Sequence, residues 1–506
     1  MFPLDHADVK AHGLNNIRSS VQRGACLIAV TLLGACAVGP DFVRPAPPTV
    51  DRYTSEPPVV ATVAADGQAQ RFTPGAAIAA DWWRLFKSAQ LDAMVQQAIA
   101  NNPTLEASEA TLRQSQDNLR AGYGVFFPQI DAGLDGLRQR TAPLRDGLQT
   151  PGTIFNLVTL SGSIGYTLDV FGGERRTVEG LRAETDYQRY ASKAATLTLS
   201  ANVVNTCIAR AAYAAQIRAT EQLIEMENQQ LDATQAQVRA GTAAYANVLS
   251  MRSLIASNQA ALAPLRQKIS QTEHLLATLE GAMPSEASLP DIDLNGLSLP
   301  ADLPLSLPSD LVRQRPDILQ AEAQLHVASA NIGVATAAMF PSISLSGTYG
   351  AVGTSFGNLS AESGRFWSIG PSVSIPLFRG GSLWYGRKAA IDAYQASQAN
   401  YRQTVLAAFA QVADSLKALE HDSEALQAQV DAQRAAGEAL HLLQASYRAG
   451  MVAYLEVLTA DVQFHQASIA YTQAVAQRHQ DTVALFVALG GGWWNAQGPS
   501  GEGNAR

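Results

Sequence analysis

Four stretches of this chain alternate apolar and small polar side chains with a period of two, set among far longer stretches with a helical period. From Val158 to Asp169 one side carries Val158, Leu160, Gly162, Ile164, Tyr166 and Leu168, and the other carries Thr159, Ser161, Ser163, Gly165, Thr167 and Asp169. From Ser342 to Gly350, Ile343, Leu345, Gly347 and Tyr349 oppose Ser342, Ser344, Ser346 and Thr348. From Trp367 to Leu377, Trp367, Ile369, Pro371, Val373, Ile375 and Leu377 oppose Ser368, Gly370, Ser372 and Ser374. Gln129 to Arg138 alternates less cleanly. Strands of about ten residues with one apolar and one wet face fit a membrane β-barrel. A soluble sandwich sheet is the competing reading.

A strand edge left open in lipid leaves backbone groups without hydrogen-bond partners, so a membrane barrel must close. Closure takes at least about eight strands. Four strands therefore predict assembly from several copies: two give eight strands and a nearly filled interior, three give twelve and room for a lumen.

The helical stretches are long. Leu181 to Ala240 holds no Gly or Pro, about 60 residues or roughly 90 Å of helix. Arg387 to Ala449 matches it, with Gly437 alone inside. Both are rich in Ala, Gln, Leu and Arg, which favour helix, and a polar helix of this length needs packed neighbours. Each ends at Arg-Ala-Gly. Arg239 and Arg448 suit the negative end of the helix dipole, and Gly241 and Gly450 suit a left-handed cap. A second helix follows each cap, from Thr242 to Glu280 and from Val452 to Leu489, giving two helical hairpins. Asn102-Pro103 and Arg315-Pro316 open two further helices, with proline where no backbone donor is needed. Each of these runs to a Phe-Pro pair.

The order repeats. Pro103 to Pro128 aligns with Pro316 to Pro341 without a gap: Glu109 with Glu322, Leu112 with Leu325, Asn118 with Asn331, Phe127-Pro128 with Phe340-Pro341. The block from Arg239 to Leu249 aligns with Arg448 to Leu458. A spacing of about 210 residues means a duplicated domain, not a short-period solenoid. The expected layout is a targeting segment at 1–35, an extended tether at 36–80, a first repeat at 81–280, a linker at 281–310, a second repeat at 311–490 and a disordered tail at 491–506.

Arg18 and Arg23 precede an apolar run from Cys26 to Ala35, about ten residues, too short for a spanning helix but suited to a signal peptide. Leu33-Gly34-Ala35-Cys36 resembles a bacterial lipobox, which makes Cys36 the expected lipid attachment point. Ala37, rather than Asp, favours outer-membrane sorting. The competing reading is a buried cysteine in an apolar helix. Once Cys36 is acylated, Cys207 has no disulfide partner and reads as a small buried residue.

Over 506 residues the net charge is −8, which gives no reason to expect nucleic acid. The eight His show no ligand spacing with Cys or carboxylates, so no metal is expected. His421-Asp422 and His479-Gln480-Asp481 read as solvated helix surface. Gly172-Gly173 and Gly380-Gly381 follow strands and read as strand-to-helix turns. No nucleophile elbow or phosphate loop occurs, so neither an enzyme nor a cofactor is expected.

Taken together, Cys36-Ala-Val-Gly-Pro40-Asp41-Phe42-x-x-Pro45, Asp81-Trp82-Trp83, Tyr166-x-Leu168-Asp169-x-Phe171-Gly172, Arg315-Pro316-Asp317-Ile318, Ile375-Pro-Leu-Phe378-x-Gly380-Gly381 and the two hairpin tips resemble the outer membrane factor family, the TolC-like channels, and within it the NodT-type efflux lipoproteins. The resemblance covers about residues 36 to 490. It implies an α+β membrane protein: a homotrimeric twelve-stranded β-barrel, four strands per chain, continued by a long α-helical barrel into the periplasm, with an internal two-fold repeat. It implies docking on a periplasmic adaptor and an inner-membrane pump, with Arg239, Gly241, Arg448 and Gly450 at the contacting tips. By position it places Leu455, Glu456 and Thr459 at the narrowest ring of a periplasmic gate, with Tyr447 beside it and Asn247 on the neighbouring hairpin. Three Leu455 would plug the opening and three Glu456 would concentrate cations at its mouth. The competing reading of Glu456 is an ordinary solvated residue. Thr459 departs from the family, where Asp is common, and Asn247 and Val452 lack the charges that tie hairpins in some relatives. Tyr245 and Tyr454 read as packing residues.

The function so implied is passive export of drugs or other toxic small molecules across the outer membrane of a Gram-negative bacterium. The same architecture serving type I protein secretion is the alternative, and a non-conducting envelope scaffold is a third reading. Seven Met without a cluster give no argument for metal export.

Overall fold

A computed structural model describes residues 37–495 apart from 57–58, 143–146 and 148. The elements in chain order are β1 (Arg71–Pro74), α1 (Ala89–Asn101), α2 (Pro103–Gly122), β2 (Gln129–Arg140), β3 (Ile154–Leu168), α3 (Gly173–Arg239), α4 (Tyr245–Leu279), β4 (Asp302–Leu305), α5 (Pro308–Gln314), α6 (Pro316–Ala337), β5 (Ser342–Gly353), β6 (Arg365–Ser374), α7 (Ser382–Arg448) and α8 (Tyr454–Ala488). Helix α3 and helix α7 each hold 67 residues, and the helices that follow them, α4 and α8, each hold 35.

Capping fixes the starts. Ser88 accepts from the Leu91 N–H at 3.2 Å to open α1. Asn102 accepts from Thr104 and Leu105 ahead of Pro103, satisfying donors that the first turn cannot. Gly172, Gly380 and Gly381 turn from strand into helix as expected, all at positive φ.

The described residues form two compact units. One contains 37–44, 114–186 and 323–399, and the other contains 45–113, 187–322 and 400–495. The units do not follow the halves 81–280 and 311–490, since each draws segments from both. The first unit holds the antiparallel sheet β2-β3-β5-β6. In it Arg176, on the opening turn of α3, donates to Asp41 and to Glu179, both at 2.7 Å. Glu179 also meets His326 at 2.9 Å, and Phe42 stacks on that imidazole at 4.2 Å. The leading segment 37–44 is thereby clamped to α3 and α6. Gly39 packs backbone to backbone against Gly333, where an added Cβ would meet the Gly333 Cα at 2.5 Å.

The second unit holds the main hydrophobic core, around Trp82, Phe86, Leu91, Val204, Ile208, Leu303, Leu311 and Phe486. Here three expectations need correction. The segment read as a tether places Phe72 and Ile78 in this core, and β1 pairs in parallel with β4, Phe72 opposite Leu303. The segment read as a linker supplies β4 and buries Ile292, Leu294, Leu297, Leu303 and Leu305. The expected tail is ordered to residue 495: the Trp493 indole donates to Gln314 O at 2.8 Å, and Asn495 donates to Ile78 O. In the linker, proline and aspartate drew the reading toward a loop, while the leucines between them carry the burial. The remaining residues 496–506, the targeting segment 1–35 and Cys36 lie outside the described residues.

Candidate functional site

The sheet has two chemically distinct faces, and its register shows that the alternation on each strand is carried across all four. On one face Ile130, Ile164, Gly347 and Ile369 lie opposite one another in a row, beside Ala132, Gly162, Tyr349 and Trp367. On the other, Asp131, Ser163, Thr348 and Ser368 form a row, followed toward the helices by Thr167, Ser344 and Ser372. The apolar face is uncovered: Ile130 is 77% exposed and Trp367 is 73% exposed. Removing such side chains from water is worth about 1.5–3 kcal/mol each. Among the described residues β2 pairs only with β3, and β6 only with β5, so each carries one open edge. A four-stranded sheet with a continuous apolar face and two open edges is incomplete by itself.

The hairpin tips are built alike. At the first, the Gly241 N–H donates to Val238 O and the Thr242 N–H to Gln237 O, at 3.0 and 2.9 Å. At the second, Gly450 donates to Tyr447 O and Met451 to Ser446 O, both at 2.9 Å. This paired pattern is the Schellman cap, and it requires the positive φ of 74° and 72° that the two glycines adopt. Arg239, Gly241, Arg448 and Gly450 are all exposed.

Helix α8 then presents Leu455, Glu456 and Thr459 together on an exposed face, with Leu455 69% exposed. The opposite face buries Tyr454, Val457 and Ala460 against Met251 of α4 and Leu440 of α7. Tyr447 is turned into the hairpin interior, away from that exposed trio: its hydroxyl donates to Gln237 at 3.0 Å, and its ring meets Tyr454 edge-on at 5.4 Å. Asn247 is half-buried at the start of α4, where its N–H closes the first turn on Ala244 O. Tyr454 packs as expected, whereas Tyr245 is exposed.

Two carboxyl groups below the tips, one buried and one half-buried, were not singled out in the sequence. Glu227 of α3 is buried, and burial first, then the neighbouring Asp461 carboxyl, push it up to about 7 against the pull of the Asn258 amide. Asp461 of α8 rises to about 6, again through burial. A signal existed: Thr220, Leu223, Glu227 and Thr234 fall at helical spacing on one buried stripe.

The His479 and Asp481 reading is corrected outright. Both are buried rather than solvated. Burial first, then the Arg478 charge, push the His479 imidazole down to about 4, so it sits neutral beside Phe86. Burial and the adjacent Asp422 carboxyl raise Asp481, whose Oδ1 accepts from Gln477 at 2.8 Å. Arg478 is buried among acceptors of the 62–70 segment, donating to Gln68 O at 2.8 Å. Arg478, with the Gln70 amide donating to Thr482, locks the segment to α8. His421 is exposed as expected, and Cys207 is buried beside Met94 with its thiol pushed up to about 12 by burial. Among the described residues no group of three His, Cys, Asp or Glu side chains is placed to hold a metal, and no helix is long and apolar enough to cross a membrane.

An open sheet with one uncovered apolar face, joined in sequence to capped hairpins of 67- and 35-residue helices, defines an α+β chain. The chain belongs to the outer membrane efflux protein family, which residues 94–282 and 307–491 match. It is 29% identical to the toluene efflux pump outer membrane protein TtgC of Pseudomonas putida over 94% of this chain and 97% of that protein. It is 29% identical to nodulation protein T of Rhizobium leguminosarum over 93% and 94%. Among solved structures, the outer-membrane channel OprN matches with a TM-score of 0.81 and 26% identity over 90% of this chain and 100% of that one. The Campylobacter jejuni CmeC outer membrane channel shares the fold with a TM-score of 0.81 at 19% identity, over 91% and 96%.

Proposed function

We propose that this chain is one third of a passive, lipid-anchored export duct of the Gram-negative outer membrane. Three copies would each contribute four strands to a closed twelve-stranded barrel and two hairpins to a helical tunnel. The observation that carries this reading is the sheet: two open edges and an uncovered apolar face. Each backbone group left unpaired in lipid costs several kcal/mol, so edges of this length demand neighbours. Two copies would leave almost no lumen, and three leave one lined by the Ser, Thr and Asp face.

The energy source lies in partners, a periplasmic adaptor and an inner-membrane pump, with the exposed tips around Arg239, Gly241, Arg448 and Gly450 as the adaptor contact. Leu455, Glu456 and Thr459 form the gate, because they are exposed within one chain and would face the axis in three. Tyr447 and Asn247 support the tip rather than line the opening. Small molecules are the favoured cargo, since the relatives include a toluene efflux protein and a pyoverdine export protein. Cys36 anchors the chain through lipid, and the clamp on 37–44 holds the segment next to it.

Native mass measurement and single-channel recording of the purified mature protein test the proposal together. The expected result is a trimer that conducts. A monomer with no conductance would end the export reading.

A further inference from the structure

Glu227 and Asp461 face each other inside the hairpin bundle. Glu227 is 5% exposed. Its Oε1 accepts from the Asn258 amide of α4 at 2.7 Å, while its Oε2 is buried without a hydrogen-bond partner. Both carboxyls line a cavity of about 520 Å3, together with Gln230, Gln237, Gln444, Tyr447, Arg448 and Tyr454. The titratable and charged groups that face the pair are therefore Tyr447 and Arg448 from α7 and Tyr454 from α8. Helix α4 faces it with the neutral Asn258 amide. The Tyr454 phenol is itself pushed up by burial, then by Asp461 and Glu227, which places all three groups in one poorly hydrated spot.

Two ionised carboxylates in such a place repel each other, and burial of Glu227 weakens the screening between them. One proton removes the conflict: a protonated Glu227 keeps Asn258 on one oxygen and offers a donor from the other. We propose that Glu227 and Asp461 share one proton, and that the protonated pair is a latch fastening α3 to α8, hence the first hairpin to the helix that carries Leu455 and Glu456. Loss of the proton sets two negative charges against each other across the α3–α8 seam and loosens the second tip. The consequence for conduction rests on the export reading; the shared proton and the latch do not.

The sign follows from linkage. A carboxyl held above its ordinary value stabilises the fold fully below that ordinary value, and its contribution is lost as pH rises through the raised one. For Glu227 that window runs from 4.5 to about 7. The latch is closed at about pH 5 and released by about pH 8.

Three readouts on the full-length protein separate the claims: the infrared carboxylic-acid band, hydrogen exchange at the first turn of α8, and bilayer conductance. The expected wild-type result is a protonated-carboxyl band that fades through about pH 7, and exchange at Tyr454–Val457 that rises toward about pH 8 by about tenfold beyond the intrinsic base-catalysed increase. Glu227→Gln, which mimics the protonated acid in shape and hydrogen bonding, removes the band and keeps the α8 turn protected at both pH values. Asp461→Asn serves as the second variant and gives the same protection. An unchanged band in Glu227→Gln, or the same excess exchange in wild type and both variants, overturns the latch. Absent conductance at every pH, with the band and the exchange step present, strikes the export reading alone. Conductance that ignores pH while the exchange step persists separates the latch from the gate and overturns its role at the tip.

Discussion

The hairpin tips offer a clean perturbation, because Gly241 and Gly450 hold positive φ in open space. An added Cβ at either position meets nothing within 4 Å. Gly450→Ala therefore introduces no clash, and its effect is the cost of placing an L side chain in the left-handed region, about 1–2 kcal/mol. That cost falls on the turn that breaks α7 from α8, where Gly450 donates to Tyr447 O and Met451 donates to Ser446 O. Since 1.4 kcal/mol is about a factor of ten, these two amides should exchange about 5- to 30-fold faster in the variant. Hydrogen exchange measured by peptide mass spectrometry reads this directly. The Gly241 tip, with φ of 74°, acts as an internal reference and should be unaffected. Gly450→Asn should show a smaller acceleration, because asparagine tolerates the left-handed region better than alanine. Exchange unchanged within a factor of two, or equal acceleration at both tips, would show that the cap does not depend on the glycine backbone.

Two further outcomes are expected. Ile369→Lys, on the uncovered apolar face, should weaken assembly in outer-membrane vesicles by about 2–4 kcal/mol, whereas Ser368→Lys on the polar face should leave it nearly unchanged; folding titrations from denaturant compare the two, and equal losses would contradict the assigned faces. Glu456→Ala should lower cation preference in planar bilayers, read as a shift in reversal potential under a salt gradient, and an unchanged reversal potential would remove Glu456 from the gate.

The parts of the fold that were legible in the sequence are those where one local rule decides. The serines at 342, 344 and 346 against Ile343 and Leu345 admit one register only, and β5 runs from Ser342 as the alternation requires. The Arg-Ala-Gly pairs marked both helix ends because a left-handed cap is a backbone property of a single residue. What escaped was decided at long range. Strand β1 has four residues and is paired with a strand over two hundred residues away, so its own sequence carries no period to detect. His479 and Asp481 look like surface because they are polar, yet they face the core beside Phe86 and Asp422. Among the candidate gate residues, Leu455, Glu456 and Thr459 were grouped by the resemblance alone, while the inward turn of Tyr447 depends on Gln237 of α3, which position in the sequence cannot reveal.

The seat of the leading segment also imposes a timetable. Gly39 rests on Gly333, and Phe42 on His326, so residues emerging first can settle only against residues synthesised about 290 positions later. During translocation the front of the polypeptide must wait, unsecured, while most of the molecule follows it across the inner membrane. The segment thus emerges before its own docking place exists, which makes the interval before folding the stage at which a helper protein would have most to protect.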